Sequence, residues 1–103
     1  MNRVKFLRND IENLLLSFDD VTVAKIINSL EILDELGQQI RSPKSKKVAK
    51  DVYELRVFGD LSVRIFYTFH KENIWILHAF IKKSQKIPRK ELETVINRVK
   101  YLQ

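Results

Sequence analysis

Cysteine is absent from this chain of 103 residues, which excludes a disulfide scaffold, a thiolate metal site and a cysteine nucleophile. Histidine is almost absent: His70 and His78 cannot by themselves complete a zinc site, and no metal or cofactor is expected. Glycine and proline number two each, and no internal repeat or low-complexity segment breaks the chain. No apolar run approaches the roughly 18 residues a membrane span needs. The stretch Met1–Asp10 meets charge at Arg3, Lys5 and Arg8 without an apolar signal core, so a secretory leader is not expected. The expectation is one cytoplasmic domain over residues 1–103 with no membrane partner, and an apolar fraction of 45% gives it a core.

What the chain does have is basic charge, unevenly placed. Lysine and arginine total 19 against 13 acids, a formal charge of +6. Between Asn9 and Leu36 stand Asp10, Glu12, Asp19, Asp20, Glu31, Asp34 and Glu35 with a single base, Lys25. Arg41, Lys44, Lys46, Lys47 and Lys50 then follow without an acid, and the same holds for Lys82, Lys83, Lys86, Arg89 and Lys90. Concentrated basic runs capture polyanions, which favours a nucleic-acid partner over a neutral small molecule; the bland alternative is a pair of solvated loops.

Hydrophobic spacing divides the chain further. Ile11, Leu14, Leu15 and Phe18 have helical spacing, and Val23, Ile26, Ile27, Leu30 and Leu33 make a second stripe. Asp19 or Asp20 caps that second helix, and Gly37 ends it. Met1–Leu7 is either a short strand or the start of the first helix. Residues Gln38–Lys50 show no apolar period and read as a loop. The period then becomes two over Val52–Phe58, Leu61–His70 and Ile74–Lys82, a meander of antiparallel strands. Pro88 precedes a last stripe of Leu92, Val95, Ile96, Val99 and Leu102. The expected fold is α+β: an antiparallel sheet of three to four strands, two N-terminal helices and one C-terminal helix, the helices on one face.

Strand alternation puts Glu54 and Arg56 on the non-core face of the first meander strand, and Arg64 and Phe66 on that of the second. Two arginines on neighbouring strands repel unless an anion or an acid compensates. Glu54 as the acid would make an inert exposed ion-pair network; a bound phosphate would make a clamp suited to arginine's planar fork. Phe66 is the aromatic expected to offer a stacking face, while Trp75 and Tyr67 read as packing. His78, on so apolar a strand, reads as a partly buried, hydrogen-bonded histidine.

These residues carry a resemblance. Arg41-Ser42-Pro43, the lysines Lys46 and Lys47, Val52-Tyr53-Glu54-Leu55-Arg56, Val63-Arg64-Ile65-Phe66-Tyr67 and His78-Ala79-Phe80-Ile81-Lys82-Lys83, running on to Pro88, resemble the HigB-type branch of the RelE/ParE toxin superfamily over about residues 10–100. Asp51 stands where that family commonly has glycine, and no tyrosine falls between Lys83 and Leu92, where some relatives keep one. The resemblance implies the RelE/ParE-like fold and a toxin of a type II toxin–antitoxin pair that cleaves mRNA on the ribosome without a metal. It implies a cognate antitoxin, with a helix-turn-helix domain as is common in HigB-type pairs. By the same resemblance Arg56 and Arg64 contact RNA phosphates, with Lys82 or Lys83 nearby. Candidate proton acceptors are Glu54, His78 and the Lys82–Lys83 pair; Arg41, Lys44, Lys46, Lys47, Lys50 and Lys86 are candidate RNA-binding residues. ParE-like members act on DNA gyrase, so a gyrase-directed toxin and a non-enzymatic RNA-binding module remain open on the same fold.

Overall fold

Alternating apolar residues make three adjacent strands, and two weaker segments join them at the edges. The computed structural model describes residues 1–103. Its elements are β1 (Val4–Phe6), α1 (Asn9–Leu16), α2 (Asp20–Leu36), a 3-10 turn (Gly37–Gln39), β2 (Ser45–Ala49), β3 (Val52–Val57), β4 (Val63–His70), β5 (Asn73–Ile81) and α3 (Arg89–Val99). The sheet order is β1-β5-β4-β3-β2, with β1 parallel to β5 and every other neighbour antiparallel. The expected antiparallel sheet of three to four strands is thereby corrected to a mixed sheet of five. The stretch read as a loop contains β2, whose Ser-Lys-Lys-Val-Ala sequence has no apolar alternation. It is an edge strand, and exposed lysines on an edge discourage pairing with another chain.

The helices do not share a face, which corrects the second expectation. Against one face, Ile11 and Leu15 of α1 and Ile26, Leu30 and Leu33 of α2 pack on Leu55, Val57, Val63, Ile65, Ile74 and Ile76. On the other face, Val95 and Val99 of α3 cover Val52, Phe66 and Leu77. With both faces covered, β4 has no wet side: Phe66 is 0% exposed and cannot offer a surface stacking platform. A bulge in β5 adjusts the register. Phe66 pairs with His78 and Tyr67 with Ile76, so Leu77 is the extra residue, and Leu77 and His78 both reach α3.

Local chemistry fixes the element ends. Asp19 caps α2 by accepting from the Thr22 backbone N–H at 3.1 Å and the Thr22 hydroxyl at 2.7 Å. Asp51 adopts φ 60 in the turn between β2 and β3, a left-handed position that suits glycine and that aspartate tolerates. Asp34 latches β1 to α2 by accepting from the backbone N–H groups of Asn2, Arg3 and Val4. Burial pushes its carboxyl up, but those three donors more than offset it and hold it below the usual carboxylate range.

Gly37 ends α2 at φ 55, ψ −125, a conformation open essentially to glycine alone. A Cβ there would also stand 2.5 Å from Arg3 Nη2. Gly37→Ala is therefore expected to cost about 1–3 kcal/mol from the backbone alone, seen as a lower denaturant midpoint at unchanged slope. A midpoint within error of wild type would show that the α2 terminus does not need this conformation.

Candidate functional site

Antiparallel pairing of β3 with β4 sets Arg56 directly opposite Arg64 and Glu54 opposite Phe66. Paired residues share a sheet face, so all four lie on the α3 side, with Phe66 beneath the helix. Glu54 is 1% exposed and sits between the two guanidinium groups: its Oε1 accepts from Arg56 Nε at 3.0 Å, and its Oε2 lies 3.8 Å from Arg64 Nε. That second separation is too long for a hydrogen bond, and both atoms are buried without a partner. The arrangement is an ion-pair network, but a buried one, correcting the exposed network the sequence suggested. One carboxylate faces two cations, so positive charge remains in excess.

Arg64 is 8% exposed, and burial weakens its hold on its proton, with Glu54 opposing that and Arg56 adding to it. Arginine nevertheless stays charged in proteins. Its Cζ lies 5.6 Å from the ring centroid of Phe58, an aromatic that is 53% exposed. On its other flank, Arg64 shares an open polar recess of about 340 Å³ with Ser62, Lys82, Lys83, Ser84 and Gln85. The Lys82 backbone N–H donates to the Ser62 carbonyl at 2.7 Å, which fixes the end of β5 beside that recess. Chemically the arrangement can hold an anion: two guanidinium groups share one carboxylate, and two lysines line the recess beside Arg64.

A family model described as Phage derived protein Gp49-like (DUF891) matches residues 13–100. The chain belongs to this Gp49-like family. The family is toxin-like and related to the RelE/ParE-like toxin group. No curated protein matches the chain. No helix is long and apolar enough to cross a membrane.

Within this Gp49-like chain the sequence-nominated residues separate into groups. Arg56, Arg64, Glu54, Lys82 and Lys83 come together. Lys46, paired with Glu54 across β2 and β3, shares their face, and the Lys44 carbonyl accepts from the Arg56 N–H at 2.8 Å. Arg41 and Lys47 line a cavity on the opposite face, and Lys46, on the edge strand, borders it as well. Lys50 lies at the far end of the β2–β3 hairpin, and Lys86 lies in the loop past the recess. Phe58 has only a weak signal in the sequence, an aromatic between the end of a strand and the Gly59–Asp60 turn.

His78 is engaged rather than free. Its Nδ1 lies 3.3 Å from Arg98 Nη1, which also donates to the Leu77 carbonyl at 2.8 Å, and its Nε2 lies 3.4 Å from Glu91 Oε1. Arg98 can only donate, so Nδ1 is the acceptor and the neutral ring carries its proton on Nε2, towards Glu91. The ring lies beside the stacked pair Phe66–Phe80, nearly parallel to both, with centroids 6.4 and 6.2 Å away. Burial lowers its pKa below the ordinary 6.5, with Glu91 opposing and Arg98 reinforcing. The unfolded chain therefore binds this proton more readily than the folded one, and stability falls as pH drops below about 6.5. His78→Gln is expected to flatten that part of the stability–pH profile, read from urea midpoints; an unchanged slope would place the acid sensitivity elsewhere.

Proposed function

We propose that this Gp49-like chain is a toxin of the HigB branch that cleaves mRNA, on the ribosome and without a metal, through the arginine pair of β3 and β4. The observation that carries this reading is the pair itself: Arg56 and Arg64 in register around a single buried carboxylate, with net positive charge left for a phosphate. In this reaction the 2′-hydroxyl attacks the adjacent phosphate, and negative charge grows on the phosphorane oxygens. Guanidinium groups fixed before the reaction stabilise that charge without reorganising, usually the largest single contribution. Glu54, enclosed and paired, is a positioning residue for both arginines rather than the proton acceptor. His78, partly buried beneath α3 with its Nδ1 held by Arg98 and its Nε2 turned towards Glu91, is not the acceptor either. Lys82 and Lys83, at the rim beside Arg64, are the groups placed to exchange protons with the ribose and the leaving oxygen. The ribosome supplies the orientation of the mRNA.

A toxin of this kind is held silent by a cognate antitoxin, here proposed to carry a helix-turn-helix domain. The test of the whole reading is to map 5′ ends on one mRNA after brief induction of the wild-type chain beside an Arg56→Ala/Arg64→Ala variant. New in-frame ends that vanish in the variant support a translation-linked endoribonuclease. Growth arrest with intact mRNA would reject RNA cleavage and move the target to another molecule.

A further inference from the structure

On the sheet face opposite the arginine pair, a cavity of about 270 Å³ opens beside β2, between the end of the 3-10 turn and the strand β3. Tyr53, Tyr67 and Phe69 make its aromatic side, and mostly polar residues, Ser45, Lys46 and Lys47 among them, line the rest. Tyr53 stacks on Tyr67 with ring centroids 5.5 Å apart, and Phe69 meets both edge-on at 5.4 and 5.6 Å. The Tyr67 hydroxyl is satisfied by a buried hydrogen bond to Ser45, so this ring is held rigidly, while Tyr53 and Phe69 stay partly exposed. The cavity mouth is cationic. Arg41 is pinned by Nη1, which donates to the carbonyls of Gln38 at 2.8 Å and Ile40 at 3.1 Å; its Nε and Nη2 have no protein partner. Lys47 pairs in register with Tyr53 and so stands on the same face, and neither Arg41 nor Lys47 enters an ion pair.

An aromatic floor under unpaired cations recognises a nucleotide: the base stacks and the phosphate meets the rim. The register of β2 ties this cavity to the other site. Lys46 lies on the face of Glu54 and Arg56, Lys47 lies on the face of Tyr53, and both are exposed on an edge strand with nothing beyond it. We infer that single-stranded RNA held at Arg56 and Arg64 continues over the β2 edge, along Lys46 and Lys47, and seats one base against Tyr53 and Phe69 on the opposite face. This inference rests on the RNA-cleaving reading above and adds a second, non-catalytic subsite to it.

The test uses the full chain and a short single-stranded RNA with 2′-O-methyl riboses, which the proposed reaction cannot cut, carrying 5-iodouridine at one position at a time. Irradiation followed by peptide mapping is expected to attach one of these uridines to Tyr53 or Phe69. In parallel, Arg41→Ala/Lys47→Ala, a change confined to exposed side chains, is expected to weaken binding about tenfold at moderate salt. It should also make the slope of log K against log salt shallower by about 1.4, two phosphates' worth for a single strand. RNA that needs Arg56 and Arg64, ignores Arg41 and Lys47, and attaches only at Phe58 or Phe80 would overturn the subsite and leave the parent reading standing. No binding of the RNA by the wild-type chain would overturn the subsite, while the parent reading stands or falls on the 5′-end mapping. Polyglutamate binding that depends on Arg41 and Lys47, with no RNA attachment at Tyr53 or Phe69, would overturn the subsite in favour of an acidic protein segment.

Discussion

Arg64→Ala is expected to lower the rate of mRNA cleavage by about 10²–10³-fold, the usual cost of removing one fixed donor from a developing oxyanion. Arg64 is the more enclosed of the two arginines, with 9% of its side chain exposed against 24% for Arg56. Its charge is screened less by water, so its loss costs more than the loss of Arg56. Arg64→Lys keeps a point charge and loses the planar fork, so it restores only part of the rate. The measurement is single-turnover cleavage of a defined mRNA in a translating extract, with circular dichroism confirming the fold. A well-folded Arg64→Ala chain cutting within about threefold of wild type would remove this pair from the chemistry, since even one general acid or base contributes about 10²–10⁴-fold.

The second large effect is on stability. Glu54→Ala leaves Arg56 and Arg64 facing each other across β3 and β4 with nothing between them, next to the buried ring of Phe66. Breaking a buried ion pair by deleting one partner costs about 3–5 kcal/mol. In a domain of this size each kcal/mol lowers Tm by about 4–8 °C, so a fall of more than about 10 °C is expected. Glu54→Leu/Arg64→Met, which removes charge from both strands, is expected to recover most of that loss, because apolar replacement of a buried pair is often neutral. It is also expected to be inactive, separating the carboxylate's structural part from the arginine's chemical one. A loss below about 1 kcal/mol for Glu54→Ala would show that the carboxylate does not hold the pair, since that is the range of exposed ion pairs.

Periodicity made the meander, α2 and α3 legible, because each has an apolar stripe that must be buried. It missed β2, where pairing is dictated by the neighbouring strand and the lysines serve the edge. It left β1 ambiguous, since three residues are too few for either period. The arginine pair was legible from alternation and turn length alone. The burial of Glu54 and Phe66 was not, because alternation assigns a face and says nothing about what covers it. For Phe66 that cover is α3, whose placement across the sheet from α1 and α2 has no local signal. The bulge at Leu77–His78 was equally hidden: an extra residue in a strand that is apolar on both faces leaves no break in the pattern.

The parallel pairing of β1 with β5 also bears on how the chain matures. Every other strand pair is a hairpin of near neighbours, whereas Val4 must find Ile74. Closing so long a loop carries its entropic cost before the contacts compensate it, so the hairpins are expected to assemble first and β1 to dock last. During synthesis β1 leaves the ribosome well ahead of its partner and waits. The arginine pair, contained in one hairpin, is in register before the sheet is closed. In the mature protein the same order reversed gives the easiest opening: β1 lifts from β5 while the central strands hold. Amide exchange faster at Lys5 and Leu7, whose N–H groups face β5, than at Ile65 and Tyr67 is the signature of that hierarchy, and it makes the amino-terminal strand the place where this fold comes undone first.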